Sequence, residues 1–174
     1  SFVERGGRTA VSEKTDNFQD VIRFVFWNVH KNQENIERII SFGKERGVHI
    51  IALCEVPSGS AYMVNDLVYQ RVQYVYDKIE SGLELFIDRS VAPKMMHYYS
   101  ENRRFNVLYF DEIDITLAIA HLNSNLTTNA EDCRRIDIRE MLSVLQRLEN
   151  AVTSKNTLIV GDLNMGLFDK EMLS

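Results

Sequence analysis

The chain has 174 residues, of which 45% are hydrophobic and 26% charged, with a formal net charge of -5. That length suits one domain with a sizeable core. The acidic balance excludes a broad basic face for nucleic acid but leaves room for a local basic patch beside an acidic, metal-holding cleft. No apolar run approaches the roughly 20 residues of a membrane helix, no secretory pattern opens the chain, and the start at Ser1 reads as processed or engineered.

Residues 1–20 are polar and aperiodic, and read as an N-terminal extension ahead of a single domain over 21–174. From Ile22 to Trp27 an apolar run broken only by Arg23 predicts an interior strand, ending in Asn28-Val29-His30. A helix follows. Asn32 is placed to cap it, Glu34 and Glu37 lie early, and Ile36, Ile39, Ile40 and Gly43 share one face up to a stop at Gly47. His49 to Leu53 predicts a second buried strand, closing at Cys54-Glu55. Strand, helix and strand make one βαβ unit, so the two strands should run parallel.

After Pro57, Ser58 to Leu67 can hold a short helix. Then five short segments rich in β-branched and aromatic residues follow: Val72–Tyr76, Leu83–Ile87, Met95–Tyr99, Phe105–Phe110 and Ile115–Ala120. Turn residues separate them, which predicts an antiparallel meander. Thr128-Asn129-Ala130-Glu131 is a capping box opening a second long helix with the apolar stripe Ile138, Met141, Leu142, Leu145 and Leu148. Its charged residues are expected to form a solvated face. The helix leads to Leu158-Ile159-Val160, read as a strand buried on both faces, and then to Gly161-Asp162-Leu163-Asn164. Cys54 and Cys133 make neither a metal spacing nor a disulfide framework, so a reducing, cytoplasmic setting is the expectation.

Four apolar strands end in polar residues that packing does not require: Asn28, Glu55, His121, and Asp162 with Asn164. Singly, each is an ordinary strand end or turn residue. Together they fall at the same kind of position, the carboxyl end of a strand, where open α/β sheets place their chemistry. Phosphoester hydrolysis gives each of them a task. Glu55 can hold Mg²⁺, a hard ion that prefers oxygen, with Asn28 supporting the site without adding charge. Asp162 can orient or deprotonate the attacking water. Asn164 can fix Asp162 or bond a phosphoryl oxygen, and His121 can donate to the phosphate or protonate the leaving oxygen. Arg103-Arg104, with Lys94 nearby, is the best local basic spot for a phosphate backbone, and Asn123 can line the groove. Solvated loop residues explain these last positions about as well. Tyr74, Tyr76, Tyr98 and Tyr99 can stack bases or simply fill a sheet face.

Trp27-Asn28-Val29, Cys54-Glu55-Val56, His121-Leu122-Asn123-Ser124 and Gly161-Asp162-Leu163-Asn164, in this order, resemble the endonuclease/exonuclease/phosphatase family. The resemblance runs over about residues 21–170. It implies a four-layer α/β/β/α sandwich of two packed mixed sheets with a cleft at one end, a metal site (Mg²⁺, with Mn²⁺ as the other candidate) at Asn28 and Glu55, a phosphate-contacting His121, and a water-positioning pair, Asp162 and Asn164. His30 falls where some members carry a second acidic ligand, and is expected to line the cleft rim. The implied activity is nuclease-like phosphodiester hydrolysis on DNA or RNA. The alternatives are an inositol-phosphate or phospholipid substrate, or a catalytically silent module that binds nucleic acid or protein. The family's terminal Asp-His pair and final strands have no counterpart here. One sheet should therefore carry an unfilled edge, and a missing C-terminal segment or a partner chain is expected to complete the site. This polypeptide alone is expected to hydrolyse poorly.

Overall fold

A computed structural model describes residues 21–57, 66–72, 83–92, 95–98, 104–122, 130–152 and 156–164. Strand β1 (Phe24–Asn28) leads into helix α1 (Gln33–Arg46) and strand β2 (Ile50–Cys54). The side chain of Asn32 accepts the Glu34 amide at the helix start, and Gly47 ends the helix in the left-handed region. Ile36, Ile40 and Gly43 form the buried face of α1. Gly43 is required there, because a Cβ would lie 2.7 Å from Ile51 and 2.8 Å from the Tyr69 hydroxyl. As the βαβ pattern predicts, β1 and β2 are parallel, with Asn28 in register with Cys54.

The expected single meander is divided between two sheets. Strands β3 (Tyr69–Arg71) and β4 (Leu83–Asp88) join the first sheet, in the order β1-β2-β4-β3. Strands β5 (Met95–Tyr98), β6 (Phe105–Phe110) and β7 (Ile115–His121) are antiparallel neighbours in the second, which β8 (Thr157–Asp162) completes in parallel with β7. Turn signals mark where strands stop but not which sheet the next one enters. β3 was not among the predicted segments, and residues 73–76 of the predicted Val72–Tyr76 strand lie outside the described residues. Of the helix predicted over Ser58 to Leu67, residues 58–65 lie outside the described residues, as do the capping residues Thr128 and Asn129, and Asp66 and Leu67 are not helical.

Period-two alternation sorts the side chains into three apolar layers. Ala52 and Cys54 of β2, Leu83, Leu85 and Ile87 of β4, Leu108 and Phe110 of β6, and Leu117 and Ile119 of β7 meet between the sheets. Ile51, Leu53, Tyr69 and Phe86 face α1. Phe105, Val107, Tyr109, Ala118 and Ala120 face helix α2 (Ala130–Val152). The result is a four-layer α/β/β/α sandwich.

Three sequence expectations need correction. First, β1 pairs only with β2 among the described residues, so it lies at the edge of the described sheet, and Trp27 is 49% exposed. Second, β8 is not buried on both faces. Among the described residues it pairs only with β7, and Leu158 is 45% and Ile159 41% exposed, because burial of a strand's faces depends on the layers packed against it, which an apolar run does not specify. Third, α2 does not keep all its charges in solvent: Arg134 and Asp137 are buried, while Leu142 of the predicted stripe is exposed and Val144 packs in its place. The helix rotates so that its face follows the sheet beneath it.

Candidate active site

Both parallel pairs bring their carboxyl ends to one rim of the sandwich. In the first sheet Asn28 stands opposite Cys54, with Glu55 next; in the second His121 stands opposite Asp162. Phe26, Ala52, Ile119 and Val160 all pack between the sheets. Two residues further on, Asn28, Cys54, His121 and Asp162 therefore face the same interlayer space.

Electrostatic influences cross between the layers in the same place. Burial pushes the Cys54 thiol up to about 12, and the negative charges of Asp162, from the other sheet, and of Glu55 add to that rise. The thiol is a protonated, buried apolar group. His121 is held below its ordinary value, first by burial. Asp162 opposes that shift, Arg104 adds to it, and Glu55 opposes it again. Carboxylates from both sheets thus act on the same two buried groups.

Backbone geometry at the strand exits fixes each polar residue. Beyond β1, the Asn28 Oδ1 accepts the His30 amide at 2.9 Å, and His30 and Lys31 are both left-handed. The Val29 amide donates to the Cys54 carbonyl at 3.0 Å and the Lys31 amide to the Glu55 carbonyl at 2.9 Å, which stitches the two exits together. Glu55 is itself left-handed, φ 54°, where it leaves β2. Its carboxylate Oε2 lies 3.7 Å from His30 Nδ1, on the half-exposed side of the cleft. Non-glycine residues in this region are uncommon and cluster at functional sites.

The second sheet shows a matching arrangement. Asp162 Oδ1 accepts the backbone amide of Asn164 at 3.1 Å, and Asn164, at φ 51°, donates from Nδ2 to the Leu122 carbonyl at 2.8 Å. Asn164 therefore orients Asp162 through its backbone, while its carboxamide anchors the loop to the end of β7. Gly161 permits this turn: its φ is +143°, and a Cβ would lie 1.8 Å from the Ala120 carbonyl oxygen. The His121 amide donates to the Arg104 carbonyl at 2.7 Å, which sets Arg104 beside it. His121 is 9% exposed, and its Nδ1 is buried without a hydrogen-bond partner.

Of the residues expected at the site, Asn28, Glu55, His121, Asp162, Asn164 and Arg104 come together at this rim. Arg103, Asn123 and Lys94 lie outside the described residues, as do Tyr74, Tyr76, Tyr99 and the Tyr98 side chain. Asn106 was not singled out by the sequence pattern. It is a buried amide on the interlayer face of β6, in register with Ile119 and close to the same rim. Its signal was present, as the one carboxamide in an otherwise apolar run.

No protein-family model and no curated protein matches the sequence. Solved structures do match its fold. A humanized D. rerio TDP2 is 17% identical, with 87% of this chain and 65% of that chain covered and a TM-score of 0.56. The human Nocturnin catalytic domain with a bound sulfate anion is 16% identical, with 87% and 68% covered and a TM-score of 0.57. An endonuclease/exonuclease/phosphatase from Bacteroides vulgatus is 13% identical, with 86% and 68% covered and a TM-score of 0.54. The chain has the DNase-I-like fold of the endonuclease/exonuclease/phosphatase proteins. It spans about two-thirds of the length of these neighbours.

Proposed function

We propose that the whole protein to which this chain belongs is a divalent-metal-dependent phosphodiesterase acting on nucleic acid. The observation that carries the reading is the convergence of Glu55 and Asp162, from different sheets, on His121 and Cys54. Two neighbours of the same fold support the substrate class: a D. rerio TDP2 complexed with single strand DNA product, at 15% identity, and the endonuclease domain of TRAS1, a telomere-specific non-LTR retrotransposon, at 12% identity. Among the described residues no helix is long and apolar enough to cross a membrane.

The donor set fits a hydrated hard cation. Among the described residues no three His, Cys, Asp or Glu side chains form a cage. Glu55 and the second lone pair of the Asn28 carbonyl suit an ion that keeps most of its water, as Mg²⁺ does. When bound, such an ion supplies charge neutralisation at the phosphate and at the departing oxygen. Asp162 has one oxygen engaged by Asn164, which leaves the other to orient a water and accept its proton. His121, kept neutral by burial, has an unpartnered Nδ1 that a phosphoryl oxygen can satisfy when that nitrogen carries the proton. Arg104 adds positive charge beside it.

Cleavage of a phosphodiester by the full-length protein tests the reading. We expect turnover that requires a divalent ion and falls by a factor of about 100 or more in Glu55→Gln and in Asp162→Asn. Metal-independent DNA binding that neither substitution alters, without turnover, would instead identify a silent binding module. Steep loss of substrate affinity with salt favours a nucleic acid over an inositol-phosphate or lipid head group.

A further inference from the structure

We infer that His30 is a ligand of the cation held at Asn28 and Glu55, and that its nitrogen turns this centre from a Mg²⁺ site into one that prefers borderline transition ions such as Mn²⁺ and Co²⁺. The inference rests on the proposed metal site at Glu55 and goes beyond it.

Three observations carry it. The imidazole Nδ1 of His30 lies 3.7 Å from Glu55 Oε2. Two neighbouring ligands of one six-coordinate ion, each about 2.1 Å from it, are roughly 3 Å apart, so a small rotation of an exposed side chain closes the difference. The His30 backbone amide is also bonded to Asn28 Oδ1 at 2.9 Å, which ties Asn28 and His30 into one tight turn at the exit of β1. Finally, the Lys31 amide bond to the Glu55 carbonyl holds the two loops in this relation, so the juxtaposition comes from the backbone.

The chemistry follows from the donor set. A carboxylate, an amide oxygen and water suit Mg²⁺. An imidazole in place of one water adds little for Mg²⁺, because that ion exchanges water for nitrogen reluctantly. For Mn²⁺ and, further along the Irving–Williams order, Co²⁺ the exchange is favourable. His30 would thereby set metal choice without touching the substrate.

The test is metal binding by the full-length protein, which needs no turnover. Mn²⁺ and Mg²⁺ are titrated separately into wild type, His30→Asn and Glu55→Gln. Asparagine tolerates the left-handed backbone at this position, so its variant should fold. We expect Mn²⁺ to bind wild type at least about tenfold more tightly than Mg²⁺, an excess that His30→Asn removes while Mg²⁺ binding stays within a factor of about two. Pulsed electron paramagnetic resonance of bound Mn²⁺ should show a directly coordinated nitrogen in wild type and none in His30→Asn. A wild-type spectrum without nitrogen coupling, or a preference and coupling that survive in His30→Asn, overturns the inference but leaves the Glu55 site standing. If neither ion binds wild type, or Glu55→Gln binds both unchanged, the underlying metal reading fails as well.

Discussion

Each half of the candidate site is built from one central strand and one edge strand, and the two kinds differ sharply. Every residue of β2, and every residue of β7 beyond Ile115, is buried, whereas no residue of β1 or β8 is. Glu55 and His121 thus extend from rigid, doubly covered strands, while Asn28 and Asp162 sit on strands held from one side only. Edge strands keep their position through fewer bonds. Here the exits supply the missing constraint: the bonds from Val29 and Lys31 to β2 and its exit, and from Asn164 to Asp162 and Leu122, fix the two edges where the chemistry needs them.

The largest expected effect comes from removing that constraint at its tightest point. Gly161→Ala should cost about 4 kcal/mol or more, because the new Cβ meets the Ala120 backbone and the φ is one side chains rarely adopt. Urea unfolding should show the loss, and hydrogen exchange should show β8 amides released before those of β7. Truncating matched residues on central and edge strands sharpens the contrast. Ile119→Ala, at a fully buried position of β7, should cost about 3 kcal/mol. Leu158→Ala, 45% exposed on β8, should cost about 0.5 kcal/mol. Equal losses would mean that β8 is as enclosed as β7.

On the opposite edge of the first sheet, Arg71 grips Glu84 with bonds of 2.7 and 3.1 Å between side chains only 12% and 13% exposed. Arg71→Met should cost about 2 kcal/mol, by leaving Glu84 uncompensated in a partly desolvated place. This loss should be insensitive to salt compared with that of a surface pair such as Glu34 and Arg38.

The smallest expected effect is a pH slope at the far end of β2. Burial, followed by Arg23, holds His49 below its ordinary 6.5, against the pull of Asp88. The unfolded chain therefore takes up the proton first, and stability falls as pH drops below about 6.5 toward the folded value. His49→Gln should flatten part of this slope in melts run from pH 7.5 to 5.5.

Residue pattern and capping were enough to place α1, the parallel β1–β2 unit and the strands around β6 and β7, because their signals are local: Asn32, Gly47 and the alternating apolar residues act within a few positions. The polar ends at Asn28, Glu55, His121 and Asp162 were legible for the same reason, as single residues out of keeping with the runs before them. What the sequence could not settle was enclosure. Leu158-Ile159-Val160 is as apolar as Ile50-Ile51-Ala52, yet one strand is an edge and the other lies between neighbours. Burial belongs to the pairing of distant segments, and so do the change of sheet between β4 and β5, the buried charges of α2 and the approach of His30 to Glu55. Local propensity acts along the chain over a few residues; these features act across it, and only the folded arrangement decides them.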